Sequence, residues 1–158
     1  MKRNIKNVAV LGSGVMGSAI ACHFANVGLN VLLLDIVPKE AEKSNSIKER
    51  NKIVDGALAK ALKSKPSSIY KKTFAKRIKT GNMTDDMSLI SSCDWIIEVI
   101  AEKIEWKHAL YERIASHIRE DAILTSNTSG PPFFLIFTAF ILQMYHYDNL
   151  EQLARLLL

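Results

Sequence analysis

Cysteine is scarce in this chain of 158 residues. There are two, Cys22 and Cys93, with no CxxC and no Cys/His ligand spacing. This excludes a disulfide framework and the common zinc modules, and it predicts two reduced core thiols and no metal. Long apolar runs are also missing. The longest, Phe133 to Leu142, is interrupted by Thr138 and is too brief to span a bilayer as a helix, so no membrane span is expected. An apolar strand begins within the first ten residues, leaving no room for a signal or transit segment, and a cytoplasmic location is the expectation. Acidic residues are absent from residues 60 to 79, which carry Lys60, Lys63, Lys65, Lys71, Lys72, Lys76, Arg77 and Lys79. Aromatics are few there as well. Tyr70 and Phe74 are the only stacking groups beside those cations, and no nucleic-acid motif accompanies them, so nucleic acid is not expected as a partner. The alternatives left for the basic run are a solvated helical face and an anionic handle on a substrate.

With 48% hydrophobic and 23% charged residues and a net charge of +5, the chain has the composition of one ordinary globular domain. Its most informative stretch begins with the apolar run Val8-Ala9-Val10-Leu11. The turn Gly12-Ser13-Gly14-Val15-Met16-Gly17 follows, then a helix predicted over Val15 to Val27, with Ile20, Phe24 and Val27 on one face and Gly28 as its stop. A second apolar run, Val31 to Leu34, closes on Asp35. Strand, glycine turn, helix, strand and acid, in that order, form the dinucleotide-binding pattern. In this pattern the first glycine makes the tight turn, the second admits a pyrophosphate, and the third lets helix and strand pack closely. The diphosphate then sits at a helix N-terminus, where unpaired N–H groups favour negative charge. A carboxylate at Asp35 accepts hydrogen bonds from the adenosine ribose and repels a 2′-phosphate. The expected cofactor is therefore NAD rather than NADP. Asp35 has a second reading, as the cap of a helix starting near Pro38.

Beyond Asp35 a polar segment carries Ile53, Val54, Ala57, Leu58, Ala61 and Leu62 on one helical stripe, ending before Pro66. A further helix is predicted over 67–77, making this region a helical arm inserted between the second and third strands. Ile78 to Thr80 reads as a short strand turned by Gly81-Asn82, and Trp95 to Ala101 as a buried parallel strand interrupted by Glu98. A helix over 105–119, with Trp106, Leu110, Ile114 and Ile118 facing inward, and a strand over Ala122 to Thr125 complete the pattern. The fold class is α/β, a Rossmann-type doubly wound parallel sheet with helices on both faces. Glu102 and Ser126-Asn127-Thr128-Ser129 fall at the carboxyl ends of its strands, where the cofactor crevice belongs.

These residues resemble the NAD-binding domain of the L-3-hydroxyacyl-CoA dehydrogenases. The resemblance runs from Asn7 to about Gly130. It rests on Gly12 to Gly17 with Met16, on Asp35, on Glu98 followed by Glu102 and Lys107, and on Ser126-Asn127-Thr128-Ser129. Lys63 to Thr80 is similar to the long multifunctional members, in which this domain is joined to an enoyl-CoA hydratase unit. The resemblance implies NAD-dependent oxidation of 3-hydroxyacyl-CoA to 3-ketoacyl-CoA in fatty-acid β-oxidation, with an acyl-CoA substrate. It implies that Gly12, Ser13, Gly14, Val15, Met16 and Gly17 hold the pyrophosphate and that Asp35 takes the ribose. Glu102 and Lys107 would lie along the nicotinamide half, and Ser129 would reach the reacting hydroxyl. The residues alone leave other readings open: Ser129 as a turn residue before Gly130-Pro131, Glu102 as an acid favoured by a helix dipole, and Lys107 as an exposed helix lysine.

The family's catalytic histidine sits in a His-Phe-Phe-Asn-Pro run that this sequence lacks. His146-Tyr147-Asp148-Asn149-Leu150 stands near that place instead. Residues 131 to 158 form an atypical apolar tail after a domain of residues 1 to 130. That tail offers a surface for association, including homo-oligomers. The expectation is a chain that supplies the NAD-binding half and ends in unrelated sequence. The rival readings are a non-catalytic NAD-binding module and an inert truncated fragment. The β-hydroxyacid dehydrogenases also use a Met-containing glycine turn, but Asp35-Ile36 and Asn127-Thr128-Ser129 favour the acyl-CoA group.

Overall fold

The computed structural model describes residues 4–127. Five strands, β1 (Asn7–Leu11), β2 (Asn30–Asp35), β3 (Ile78–Asn82), β4 (Trp95–Glu98) and β5 (Ile123–Ser126), form one sheet in the order β3-β2-β1-β4-β5. Every pairing is parallel, with Val8 beside Val31 and Trp95, and Glu98 beside Ser126. Because side chains alternate along a strand, each central strand feeds two cores. Val8, Val10, Val31 and Leu33 face one side, packed with Ala21, Cys22 and Ala25 of α1 (Val15–Asn26) and Val54 of α3 (Lys52–Leu62). Ala9, Leu11, Leu32 and Leu34 face the other, packed with Met87, Ile90 and α4 (Ile104–Ala115). This is the doubly wound architecture that the alternation of elements predicts. Cys22 and Cys93 are buried free thiols, and burial pushes both above the ordinary thiol range.

Several local expectations are corrected. In α1 the buried positions are the small residues Gly17, Ser18, Ala21, Cys22 and Ala25, while Val27 is exposed. Small residues let the helix sit close to the sheet, and Gly28, at φ +100°, turns the chain into β2 as expected. No α-helix forms over 67–77, and residues 67–71 are not helical at all. Asn26 takes the place of helical partners there, donating to the Ser68 carbonyl at 3.0 Å and accepting from the Tyr70 amide at 2.9 Å. Ile69 is thereby drawn into the core, and only Lys72–Arg77 winds into tight 3-10 turns. The inserted segment otherwise consists of α2 (Ile47–Arg50) and α3, which lies against α1 through Val54 and, less deeply, Leu58, Ala61 and Leu62.

Gly81 and Asn82 continue β3 rather than turning it, pairing with Leu34 and Asp35. The turn comes one step later, because the Asn82 side chain accepts the amides of Thr84 and Asp85. Strand β4 ends at Glu98, earlier than expected, where the Ile100 amide donates to the Glu98 side chain at 2.8 Å. The inward stripe of α4 is Lys107, Leu110, Tyr111 and Ile114; Trp106 is 54% exposed. A periodicity reading places a lysine outside and a tryptophan inside, and here a buried acid reverses that order. No helix among the described residues is long and apolar enough to cross a membrane.

Candidate functional site

The site stands at the carboxyl ends of β1, β2 and β4, around the turn from Gly12 to Gly17. Gly12 has φ +108°, and its amide donates to the Leu34 carbonyl at 2.8 Å. A Cβ on Gly12 would lie 2.6 Å from the Val99 carbonyl oxygen, and one on Gly17 would lie 1.8 Å from the Gly12 oxygen. Those two glycines are thus demanded by the protein's own backbone. Gly14 differs. A Cβ there meets no atom within 4 Å, so the space above it is open. Gly14 is also the N-cap of α1, whose end carries no side-chain cap hydrogen bond and no acid in its first turn. Val15 and Met16, 84% and 54% exposed, stand at the mouth. An uncapped helix end beneath open space leaves N–H groups that an anion from outside the chain can meet.

Asp35 closes β2 beside this turn. Its Oδ2 accepts the Ser13 amide at 2.6 Å and the Ser13 hydroxyl at 2.5 Å, and its Oδ1 accepts the Ile36 amide at 2.7 Å. None of these donors belongs to the single turn at Lys39–Ala41, which has no side-chain cap, so the helix-cap reading of Asp35 is set aside. Ser13 itself is buried, with its amide and hydroxyl both committed to Asp35. A cleft of about 480 Å³ opens between these groups, lined among others by Gly12, Gly14, Asp35, Ile36, Met83, Val99, Ile100, Trp106 and Arg113. Arg113, which lines it, donates to the Met83 carbonyl. Ile36, Met83, Trp106 and Arg113 escaped the sequence reading. The signal available was the position of Trp106, one step off the stripe formed by Lys107, Leu110, Tyr111 and Ile114.

Glu102 is exposed on the loop between β4 and α4. Lys107 is neither exposed nor in the cleft. It is 1% exposed, and its Nζ lies 2.6 Å from Glu98 Oε1 in a fully buried ion pair. Glu98 Oε2 accepts the Ser126 hydroxyl at 2.5 Å and the Tyr111 hydroxyl at 3.3 Å. Burial, and then the neighbouring Glu98 charge, pushes the Tyr111 phenol well above its ordinary value. Ser129, His146 and the tail from 131 to 158 lie outside the described residues, as does the boundary placed at residue 130.

The basic run divides between two ends of the sheet. Lys60 lines a second hollow of about 370 Å³, on the α3 side of the glycine turn, with Ser13, Gly14, Val15, Ser18 and Ser64. Lys76, Arg77 and Lys79 line another, of about 320 Å³, at the amino ends of β1 and β2 with Asn7 and Asn30. Arg77 is held by the Ala25 carbonyl at 2.7 Å and packs over the Phe74 ring.

A parallel sheet, an uncapped glycine turn and an acid closing the second strand together define a dinucleotide-binding domain. Comparison with known proteins narrows this. The family model described as "3-hydroxyacyl-CoA dehydrogenase, NAD binding domain" matches residues 7–141. A probable 3-hydroxyacyl-CoA dehydrogenase of Bacillus subtilis is 43% identical over 138 residues, covering 82% of this chain and 18% of that protein. A putative fatty acid oxidation complex trifunctional enzyme of Rickettsia felis is 45% identical over 132 residues, covering 84% of this chain and 18% of that protein. In structure, (S)-3-hydroxybutyryl-CoA dehydrogenase from Ralstonia eutropha shares the fold with a TM-score of 0.62 at 24% identity, over 86% of this chain and 45% of that one. The chain belongs to the 3-hydroxyacyl-CoA dehydrogenase family, as its NAD-binding domain, and its cofactor is NAD. It spans about a fifth of the length of these two sequence relatives.

Proposed function

We propose that this chain supplies the NAD-binding half of an enzyme that oxidises 3-hydroxyacyl-CoA to 3-ketoacyl-CoA in fatty-acid β-oxidation. The observation that carries the proposal is the contrast among the three glycines. Gly12 and Gly17 are pressed by neighbouring backbone, while Gly14 faces empty space at an uncapped helix end. That is the arrangement a diphosphate needs. The amides of Val15 and Met16, in the first turn of α1, hold its oxygens. Asp35, oriented by Ser13, takes the ribose hydroxyls and repels a 2′-phosphate. The adenine lies in the cleft that Ile36, Met83 and Trp106 line. Glu102 borders the nicotinamide half, and Ser129 holds the substrate hydroxyl. Bound NAD supplies the hydride acceptor.

Lys60 is the cation placed to meet a coenzyme A phosphate, because its hollow touches the glycine turn. Lys71, Lys72 and Lys76 precede β3, so they lie toward the amino ends of the strands, away from the cleft. A cytoplasmic location and association through the apolar tail belong to the same reading.

A second reading is favoured by one observation: the sequence holds no His-Phe-Phe-Asn-Pro run. On that reading the domain binds NAD without turning it over. Calorimetry with NAD and a turnover assay with 3-hydroxybutyryl-CoA separate the two. Binding with NADH production supports the enzyme, binding without it supports the module, and a protein that folds without binding NAD refutes both.

A further inference from the structure

Asp35 and Asn82 are paired in register at the ends of β2 and β3, so their side chains emerge on the same face of the sheet, the one that α1 and α3 cover. Asp35 turns toward Ser13 at the tip of α1. Asn82 turns toward the start of α3, where its Nδ2 donates to Asn51 Oδ1 at 2.8 Å, and the same Nδ2 donates to Asp85 Oδ2 at 2.8 Å. Asp85 in turn holds Arg50 of α2 at two points, with Nε to Oδ2 and Nη2 to Oδ1 both at 2.7 Å. The Nη1 group of Arg50 is spent on the main-chain oxygens of Glu42, at 2.9 Å, and Ala41, at 3.4 Å. A guanidinium carries five N–H donors, and here all but one of them are committed. One strand over from the acid assigned to the ribose, an arginine stands with almost nothing left to give.

The pair is a weak stabiliser, because the Asp85 side chain is 45% exposed and water screens it. Its effect on local charge is larger. Around Asn82 a hollow of about 380 Å³ is lined by the acids Glu42, Asp85 and Asp86 and by the cations Lys43 and Arg50. Dinucleotide sites that accept a 2′-phosphate do so with an arginine near the end of the second strand. This chain has such a cation and keeps it occupied. Resting on the NAD-binding reading, we infer that Asp85 is a specificity-determining residue: by engaging Arg50 it withholds from a 2′-phosphate the cation that would otherwise receive it, and so adds a second barrier to NADP behind Asp35.

The test compares NAD and NADP affinities by calorimetry on the 158-residue protein, with each variant checked for folding by circular dichroism. In an Asp35→Ala background, adding Asp85→Asn should tighten NADP binding about tenfold, as a freed guanidinium meets the phosphate, and leave NAD binding within about twofold. Adding Arg50→Met as well should erase that gain. If the Asp35→Ala background does not fold, Asp85→Asn is made in the wild type, where the preference for NAD over NADP should narrow and Arg50→Met should restore it. A merely structural role for the pair predicts equal weakening of both coenzymes, and that result would overturn the inference. Unchanged NADP affinity overturns it too, as does a gain that survives Arg50→Met. Wild-type protein that gives no heat with NAD refutes the binding reading and takes this inference with it, whereas normal NAD binding without the NADP gain refutes this inference alone.

Discussion

The two ends of the sheet handle charge in opposite ways. At the carboxyl end, ionised side chains are drawn in and committed: Asp35 to Ser13, and Glu98 to Lys107 and Ser126. At the amino end they remain largely in water, as Lys76 and Lys79 do, or tie chain segments together at the surface. Asp94 there accepts the Lys6 and Asn7 amides at 2.8 and 2.9 Å, and Arg119 at 3.3 Å. Water screens the second set, and each of its members is worth little. Burial makes the first set expensive to disturb, and this is the end that builds a cleft.

The sharpest way to break this comparison is to unpair a buried charge. Lys107→Met leaves Glu98 without its cation and should cost about 3–5 kcal/mol of stability, whereas Lys76→Met should stay within about 0.5 kcal/mol, both read from urea denaturation. Equal losses would dissolve the distinction. Next come the glycines. Gly17→Ala drives a methyl into the Gly12 carbonyl and should cost about 3 kcal/mol, while Gly14→Ala should cost about 1 kcal/mol or less and show its effect in NAD affinity instead. If Asp35 takes the ribose as proposed, Asp35→Ala should weaken NAD binding about ten- to a hundredfold in a calorimetric titration, with discrimination against NADP reduced.

A smaller effect belongs to the amino end. The Lys6 and Asn7 amides, opposed in part by desolvation, hold the Asp94 carboxyl below its ordinary value. A depressed folded value gives stability that is complete above the ordinary carboxylate pKa of about 4 and is lost as pH falls through the lower folded value. Asp94→Asn should therefore flatten the acid limb of a stability-versus-pH curve below about pH 4. Smallest of all, neutralising Lys71, Lys72 and Lys76 together should leave the NAD dissociation constant unchanged. A loss comparable to that of Asp35→Ala would bring the two ends together.

The β1-α1-β2 unit could be read from the residues because its signals are local: alternating apolar strands, glycines at a turn and an acid at a strand end. The tail of the inserted segment was not legible, because Asn26, more than forty positions away, holds Ser68 and Tyr70 in an irregular path before the 3-10 turns of Lys72–Arg77. The cleft was half legible. The glycine turn and Asp35 announce themselves, but Trp106 and Lys107 exchange the places that hydropathy assigns them. The cause is Glu98, a residue on another strand whose partner cannot be inferred from periodicity along α4 alone.

The contact between Gly17 and the Gly12 carbonyl has a consequence for selectivity. With no side chain between them, helix and strand rest on hard main-chain atoms, so the gap at the helix tip is set by bond lengths rather than by adjustable packing. On the proposed reading, the seat for two linked phosphates is thus gauged by the main chain before any ligand arrives.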